Sequence, residues 1–229
     1  MIMMLLALAG PALAASAPKR APASVAPAKK AEAKVEAKVE TPPSAAAVRV
    51  ADWITASRDN GALPYAIIDK KDASLFLFDA KGKPLARVPV LIGIAEGDEA
   101  TPGVGTKNLA EIGPAEKTTP AGRFLARYGF AAGKQKVLWV DYANSVALHP
   151  IPPTASKKER RRQRMLSPTP DDNRITFGCI NVPSVFYSKS LRPLFQRKGG
   201  YVYVLPDTKP LEAVFPRVRV QGPTSAAQL

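Results

Sequence analysis

The chain contains one cysteine and one histidine, Cys179 and His149, and together these two residue types can perform acyl transfer. A thiolate attacks carbonyl carbons, and an imidazole can take the thiol proton and return it to a leaving group. Cys179 follows Gly178 and precedes a predicted helix, whose N-terminus would favour the thiolate. Backbone N–H groups around Gly178 and Cys179 could also form an oxyanion hole. We therefore interpret Cys179 as a candidate nucleophile and His149 as its base, oriented through the carbonyl of Pro150.

Taken singly, each of these residues has a simpler explanation. A lone cysteine is usually a small buried apolar residue, and a lone histidine is more often structural than catalytic. The catalytic interpretation gains weight because both residues flank one basic, turn-rich loop. With one Cys and one His, the chain has no internal disulfide and no four-ligand Cys/His zinc site. No metal or cofactor is predicted.

Three segments carry a resemblance to a known family. They are TTPAGRF (118–124), ALHP (147–150) and TFGCINVP (176–183). Together they resemble the L,D-transpeptidase (YkuD-type) catalytic domain, over roughly residues 63–206. The resemblance implies a mainly β (α+β) fold, a YkuD-like sandwich or barrel-like domain with a helix following the catalytic cysteine.

The same resemblance implies roles for particular residues. It makes Cys179 the nucleophile and His149 the proton donor and acceptor, with the backbone of Gly178 at the oxyanion. Thr176 and Asn181 occupy the remaining motif positions and are predicted to bind substrate. From its position two residues before Thr176, Arg174 is predicted to pair with a substrate carboxylate.

Two features depart from the family pattern. Phe177 stands where the family has a second histidine, and we predict that it packs beside the nucleophile without taking part in the chemistry. The spacer between His149 and Thr176 is long, with 26 residues. It contains the basic loop KKERRRQR (157–164), which has six positive charges and one negative. Such a run is either a solvated surface or a flap that attracts an anionic substrate.

The composition changes along the chain and predicts four segments. Residues 1–14 are predicted to be a signal peptide, and residues 15–46 a disordered Ala/Pro/Lys tether. The catalytic domain is placed at 47–210 and a C-terminal tail at 211–229. The signal predicts export to the periplasm or cell envelope, with membrane association only if that signal stays uncleaved.

Within the domain, the patterns predict specific elements. A helix should end near Asn60–Gly61, and a β-hairpin should turn at Lys81–Gly82. A helix opened by Pro183–Ser184 should follow Cys179 and be kinked or split at Pro193.

The net charge of +14 indicates an anionic partner. Nucleic acid is disfavoured because the charge is divided among tether, loop and tail, and no aromatic-basic platform is present. The resulting hypothesis is an L,D-transpeptidase that acts on peptidoglycan stem peptides through a cysteine thioester and transfers the acyl group to an amine. A carboxypeptidase or hydrolase using the same site, or a silent wall-binding module, remains as an alternative.

Overall fold

The computed structural model describes residues 42–131 and 134–220. The predicted signal peptide, most of the predicted tether and residues 221–229 lie outside the described residues. Within the described ranges, no helix is both long enough and apolar enough to cross a membrane.

The described part begins with a helix, α1 (Ala45–Ser57). The hydroxyl of Ser44 caps it by accepting the Ala47 N–H at 3.1 Å. The helix ends where Arg58 adopts the left-handed conformation, two residues before the predicted Asn60 signal. Its buried side is the one that the apolar spacing predicts, with Val50, Trp53 and Ile54.

Most of the remaining regular structure is β, which confirms the predicted fold class. The strands are β1 (Tyr65–Asp69), β2 (Ser74–Phe78), β3 (Pro84–Pro89), β4 (Ile92–Gly93), β5 (Gly122–Phe130), β6 (Lys136–Asp141), β7 (Val146–Pro150), β8 (Arg174–Thr176), β9 (Ile180–Val182) and β10 (Gly200–Val204). Eight of them form one sheet in the order β3-β2-β1-β10-β5-β6-β7-β9, while β4 pairs with β8.

Short helices connect and cover these strands. The α-helices after α1 are α2 (Arg161–Met165), α3 (Ser184–Phe186), α4 (Arg192–Phe195) and α5 (Leu211–Val214). The 3₁₀ helices are Val104–Thr106, Leu109–Glu111, Pro114–Glu116, Lys157–Glu159, Pro170–Asn173 and Pro216–Val220, and a π-helix spans Tyr187–Leu191.

The predicted hairpin is confirmed. Strands β2 and β3 pair antiparallel, and the turn between them contains Lys81 and Gly82. The Asp79 carboxylate accepts the backbone N–H groups of Lys81 and Lys83, at 2.8 and 2.9 Å. Gly82 has φ 85°, a conformation that glycine adopts at little cost.

The eight-stranded sheet nearly closes on itself. Its two edge strands are β3 and β9, and the chain leaving β3 crosses to β9 through Leu91. Leu91 and Asn181 exchange two backbone hydrogen bonds, both of 2.9 Å. The short strand β9 is therefore held on both sides, by β7 and by Leu91, and this fixes the residues next to Cys179.

The closed sheet separates two apolar cores. One contains the inward side chains of β7 and β9 and the helical segment after β9, including Leu148, Ile180, Val182 and Phe195. The other packs α1 against the opposite face. Full burial of such side chains stabilises the fold by about 1.5–3 kcal/mol each. The second core also buries Leu211, Phe215 and Val218, so packing continues beyond residue 210.

In the helical segment after β9, the hydrogen-bonded turn widens to a π-turn just before Pro193. Helix α3 continues through the π-helix into α4, which begins at Arg192. Proline has no N–H for the regular helical ladder, so the turn before it is the place where the ladder changes. The predicted interruption at Pro193 is confirmed as this π-turn.

Candidate active site

Cys179 and His149 lie at adjacent strands of a parallel pair. In the β7–β9 register, Leu148 pairs with Ile180 and His149 with Asn181. Side chains alternate along a strand, and Leu148 and Ile180 enter the core. His149 and Asn181 therefore face the opposite side, and Cys179, two residues before Asn181, faces that side too. The fold brings the two predicted chemical residues to one face although 29 residues separate them in the chain.

The imidazole of His149 is held in one tautomer. Its Nδ1 lies 2.7 Å from the carbonyl oxygen of Pro150, which can only accept, so Nδ1 carries the proton. Nε2 is then the basic nitrogen. Burial lowers the pKa of His149, the Pro150 contact raises it, and the charge of Arg161 lowers it. The imidazole is consequently neutral at neutral pH and able to accept a proton.

The thiol of Cys179 is half-buried and neutral at rest. Sγ donates to the Ser145 carbonyl at 3.6 Å. Burial raises the pKa of the Cys179 thiol, against the lowering effects of the Ala147 backbone and of Arg161. Within the described residues, no hydrogen bond joins Sγ to the imidazole. Such contacts are often long before substrate binds, so their pairing stays a prediction.

The expected help from a helix N-terminus is corrected by the structure. Strand β9, Ile180–Val182, lies between Cys179 and the first helical residue, Ser184. Pairing with β7 keeps this segment extended, so the thiol is not at a helix terminus.

A threonine closes the turn before the nucleophile. The Thr176 hydroxyl donates to the Cys179 carbonyl at 2.6 Å and accepts the Gly178 N–H at 3.2 Å. Thr176 is buried, and its hydroxyl shapes the turn. Gly178 has φ 118°, and a Cβ there would lie 2.6 Å from the Thr118 carbonyl oxygen. Only glycine fits this position without strain.

Thr119, in the TTPAGRF segment, supports that turn from the other side. Its hydroxyl donates to the Gly178 carbonyl at 2.8 Å and accepts the Gly93 N–H at 2.9 Å. The hydroxyl thus ties β4 to the nucleophile turn. The TTPAGRF motif by itself gives Thr119 no role, because the partners of its hydroxyl are distant in the chain.

Thr119→Val should remove both of these hydrogen bonds while keeping the side-chain shape. We expect a loss of about 1–3 kcal/mol in unfolding free energy, since two buried groups lose their partner. We also expect acylation to slow by about 10–100-fold, because small misplacements of a nucleophile are costly.

Thr118→Val is the matched control for this prediction. Thr118 is also buried, but its hydroxyl makes no hydrogen bond with a described residue. Chemical denaturation and the rate of covalent labelling would be measured for both variants. Equal effects at the two positions would contradict the role of Thr119.

Asn181 connects the basic loop to the imidazole. Its Oδ1 accepts from Arg161 Nη1 at 2.9 Å, which leaves Nδ2 facing His149 Nε2 at 3.5 Å. Arg161 Nε donates to Glu159 at 2.7 Å. Asn181 is fully buried, and its predicted contact with substrate stays a prediction.

Arg161 is the residue of the basic loop that contacts the candidate site, and the sequence pattern does not distinguish it. It stands among four arginines within five residues of the basic loop, and the local pattern gives no means to choose among them. In the structure it begins α2, and its side chain is only 13% exposed.

Arg174, predicted to bind a substrate carboxylate, has a different partner. Its Nη2 lies 2.8 Å from Asp207 Oδ1. The other oxygen of Asp207 lies 3.2 Å from Nζ of the buried Lys70, which also pairs with Asp98. Arg174 is therefore part of a buried charge cluster that ties β8 to the segment after β10. Within the described residues, no group of His, Cys, Asp or Glu has an arrangement that could hold a metal ion.

Phe177 lies beside the nucleophile turn and is half-buried. The Lys117 ammonium sits 3.8 Å from the centre of its ring, in a cation–π contact. This position is consistent with a packing role, and it adds a fixed cation near the turn.

Comparison with known proteins shows structural similarity only. No family model matches the chain, and no curated protein matches it. Several solved L,D-transpeptidase catalytic domains are similar in structure. One is an L,D-transpeptidase from Xylanimonas cellulosilytica, at 16% identity and TM-score 0.36, covering 62% of this chain and 60% of that chain.

Two further structures illustrate the range of similarity. The catalytic domain of an Enterococcus faecium L,D-transpeptidase has 16% identity and TM-score 0.36, covering 62% of this chain and 96% of that one. The helical cell shape determining protein Pgp2 from Campylobacter jejuni has 14% identity and TM-score 0.42, covering 78% and 63%. The match spans less than two thirds of the Xylanimonas and Campylobacter chains. Identities and TM-scores this low assign no roles to individual residues, so any such role rests on the geometry of the site.

Proposed function

We propose that this chain is a cysteine acyltransferase of the L,D-transpeptidase class that acts on peptidoglycan stem peptides. The observation that carries the proposal is the placement of Cys179 and a tautomer-fixed His149 on one face of the β7–β9 pair. The motif resemblance supplies the substrate class. The activity, its substrate and export to the periplasm or cell envelope are all part of the proposal.

In the first half of the reaction, His149 Nε2 takes the thiol proton of Cys179 as Sγ attacks the carbonyl of the third stem residue. The C–N bond to the terminal D-alanine then breaks, and His149 returns the proton to the leaving amine. A thioester between Sγ and the stem acyl group remains. Cys179 and His149 suffice for these proton movements.

In the second half, an amine attacks the thioester. His149 takes the proton of this amine, the C–S bond breaks, and the thiol regains a proton. The product contains a new amide bond. With water in place of the amine, the same steps give a carboxylic acid, which is the hydrolase alternative.

Two weak contacts must give way for these steps. Sγ turns from the Ser145 carbonyl toward His149, and Asn181 Nδ2 releases Nε2; the two contacts are 3.6 and 3.5 Å long. Distances of this size correspond to weak hydrogen bonds, so the rearrangement costs little. The Gly178 N–H donates to the Thr176 hydroxyl at 3.2 Å, at the upper end of the ordinary range, and an oxyanion would displace this bond to use that N–H.

Mass spectrometry of the protein incubated with purified muropeptides tests the proposal. We expect an acyl-enzyme mass on Cys179 together with a cross-linked or exchanged product. A shortened stem without transfer would select the hydrolase alternative. If neither an adduct nor a product forms, the enzyme proposal is overturned and a silent wall-binding module is favoured.

Phe177→His restores the residue that the resembled family carries. If Phe177 only packs, acylation should stay within about tenfold of wild type, a barrier change of about 1.4 kcal/mol. The acylation rate constant and the thermal midpoint would be measured together, because loss of the ring can lower stability.

Phe177→Leu serves as the control, since it removes the ring face beneath Lys117 without adding a hydrogen-bonding group. A gain of several hundredfold in the histidine variant alone would mean that the natural protein is impaired. That result would support the silent module over the enzyme.

A further inference from the structure

An open cavity of about 470 Å³ lies in the long segment between β7 and β8, and one of its lining residues, Arg161, contacts Asn181 of the candidate active site. One side of the cavity is apolar and comes from the residues that directly follow β7. The other side is basic and comes from the basic loop. The residues that matter here are Ile151, Pro152, Lys157, Arg160, Arg161 and Arg162.

The basic side of this cavity carries charge that the surrounding protein does not neutralise. Among the described residues, Lys157 and Arg162 have no ion pair, and Arg160 is hydrogen-bonded to the neutral Gln163. Glu159, the one acid of the basic loop, is paired with Arg161. A concave surface with uncompensated cations concentrates anions.

Arg161 links the cavity to the catalytic residues. Its Nε and Nη1 hold Glu159 and Asn181, and Asn181 in turn faces His149. Its Nη2 has no hydrogen bond with a described residue, while the side chain lines the cavity. A guanidinium fixed on one edge and open on another is well suited to bind a carboxylate.

We propose that this cavity binds the α-carboxylate of the leaving residue of the acyl donor, with Arg161 at its inner end. This inference rests on the proposed function, whose donor already ends in a free carboxylate, and it assigns the residues that recognise this carboxylate. His149 must reach the leaving amine to protonate it. The carboxylate and that amine are attached to the same carbon. A carboxylate held by Arg161 would therefore lie close to the amine that His149 protonates, because Asn181 joins Arg161 to His149.

The two-sided lining also fits the leaving residue. Terminal D-alanine has a small methyl group for the apolar side and a carboxylate for the basic side. A donor whose terminus is amidated or extended would leave Arg161 without its anion. Unpaired polar groups in a partly buried site discriminate strongly against such ligands.

The test measures binding in a Cys179→Ala background, so that no chemistry is required. The ligands are a stem tetrapeptide with a free C-terminal carboxylate and the same peptide with a C-terminal carboxamide. The variant is Lys157→Gln with Arg162→Gln, two exposed positions. The matched control is Lys81→Gln with Lys83→Gln, which removes the same charge from the exposed β2–β3 turn.

We expect the acid to bind about tenfold more tightly than the amide in the Cys179→Ala protein. The Lys157/Arg162 double variant should bind the acid about five- to tenfold more weakly and leave the amide unchanged. The Lys81/Lys83 control should keep the original preference. Equal weakening of both ligands, or an unchanged preference, overturns the proposal.

This experiment separates the cavity from the chemistry. Suppose that the double variant loses the preference for the acid, but wild type forms no thioester. The cavity proposal then stands and the acyltransferase proposal is rejected. Thioester formation without any preference for the acid would keep the acyltransferase and reject the cavity.

Discussion

Cys179→Ala is expected to abolish covalent acylation completely. The chain has no other thiol, so no second nucleophile of this type can replace it. A carbapenem, which enzymes of the resembled class accept as an acylating mimic, should add one mass equivalent to wild type and none to the variant. Intact-protein mass spectrometry measures both.

The fold of this variant should survive, because only a half-buried sulfur is removed. We expect a loss of no more than about 1 kcal/mol in unfolding free energy, and thermal unfolding checks it. Cys179→Ser is the closest matched variant, since it keeps the size and polarity of the side chain. It should also form no adduct on the timescale of wild type. Equal labelling of wild type and Cys179→Ala would show that the nucleophile is another residue.

His149→Gln should slow acylation by about 10²–10⁴-fold at neutral pH, the usual contribution of a positioned general base. Glutamine is polar and of similar length, and β7 pairs with β9 through the backbone, so the strand geometry should be kept. No other imidazole exists in the chain to take over proton transfer.

The pH dependence gives a sharper readout than the rate alone. In wild type, the acylation rate should rise with pH as the imidazole loses its proton. The midpoint of this rise should lie below the ordinary histidine range, because burial lowers the pKa of His149. Above that pH the rate should level off. In His149→Gln, the rate should instead follow the thiolate fraction and rise about tenfold per pH unit.

That rise should continue beyond the ordinary cysteine range, because burial raises the pKa of Cys179. Stopped-flow or quenched-flow labelling from acidic to alkaline pH measures both profiles. A variant with near wild-type rates at neutral pH would show that the base is another group.

The local sequence predicted several elements correctly, and it identified the residues that the proposed chemistry uses. The hairpin at Lys81–Gly82 was predictable because turn residues and alternating apolar strands act over short distances. The role of the Pro150 carbonyl was predictable for the same reason, since it is the next residue after His149. Part of the requirement for glycine at position 178 is also local, because the backbone there has a positive φ.

Long-range contacts explain where the sequence predictions differed from the structure. Arg174 pairs with Asp207 from 33 residues downstream, a contact that the local sequence does not predict, and its role toward substrate stays a prediction. The helix after Cys179 was expected to support its thiolate, but pairing with β7 keeps residues 180–182 extended. Neither partner leaves a signal in the local pattern.

By itself, the sequence determined which side chains can do chemistry and that the domain is mainly β, because residue type and alternation are local properties. Only the tertiary structure decided how those side chains are held. In the folded chain Leu91 pairs with Asn181, Arg161 of the basic loop donates to the Asn181 side chain, and Thr119 donates to the Gly178 carbonyl. The direction in which a side chain points depends on strands that meet from distant parts of the chain, and no window of sequence contains both members of such a contact.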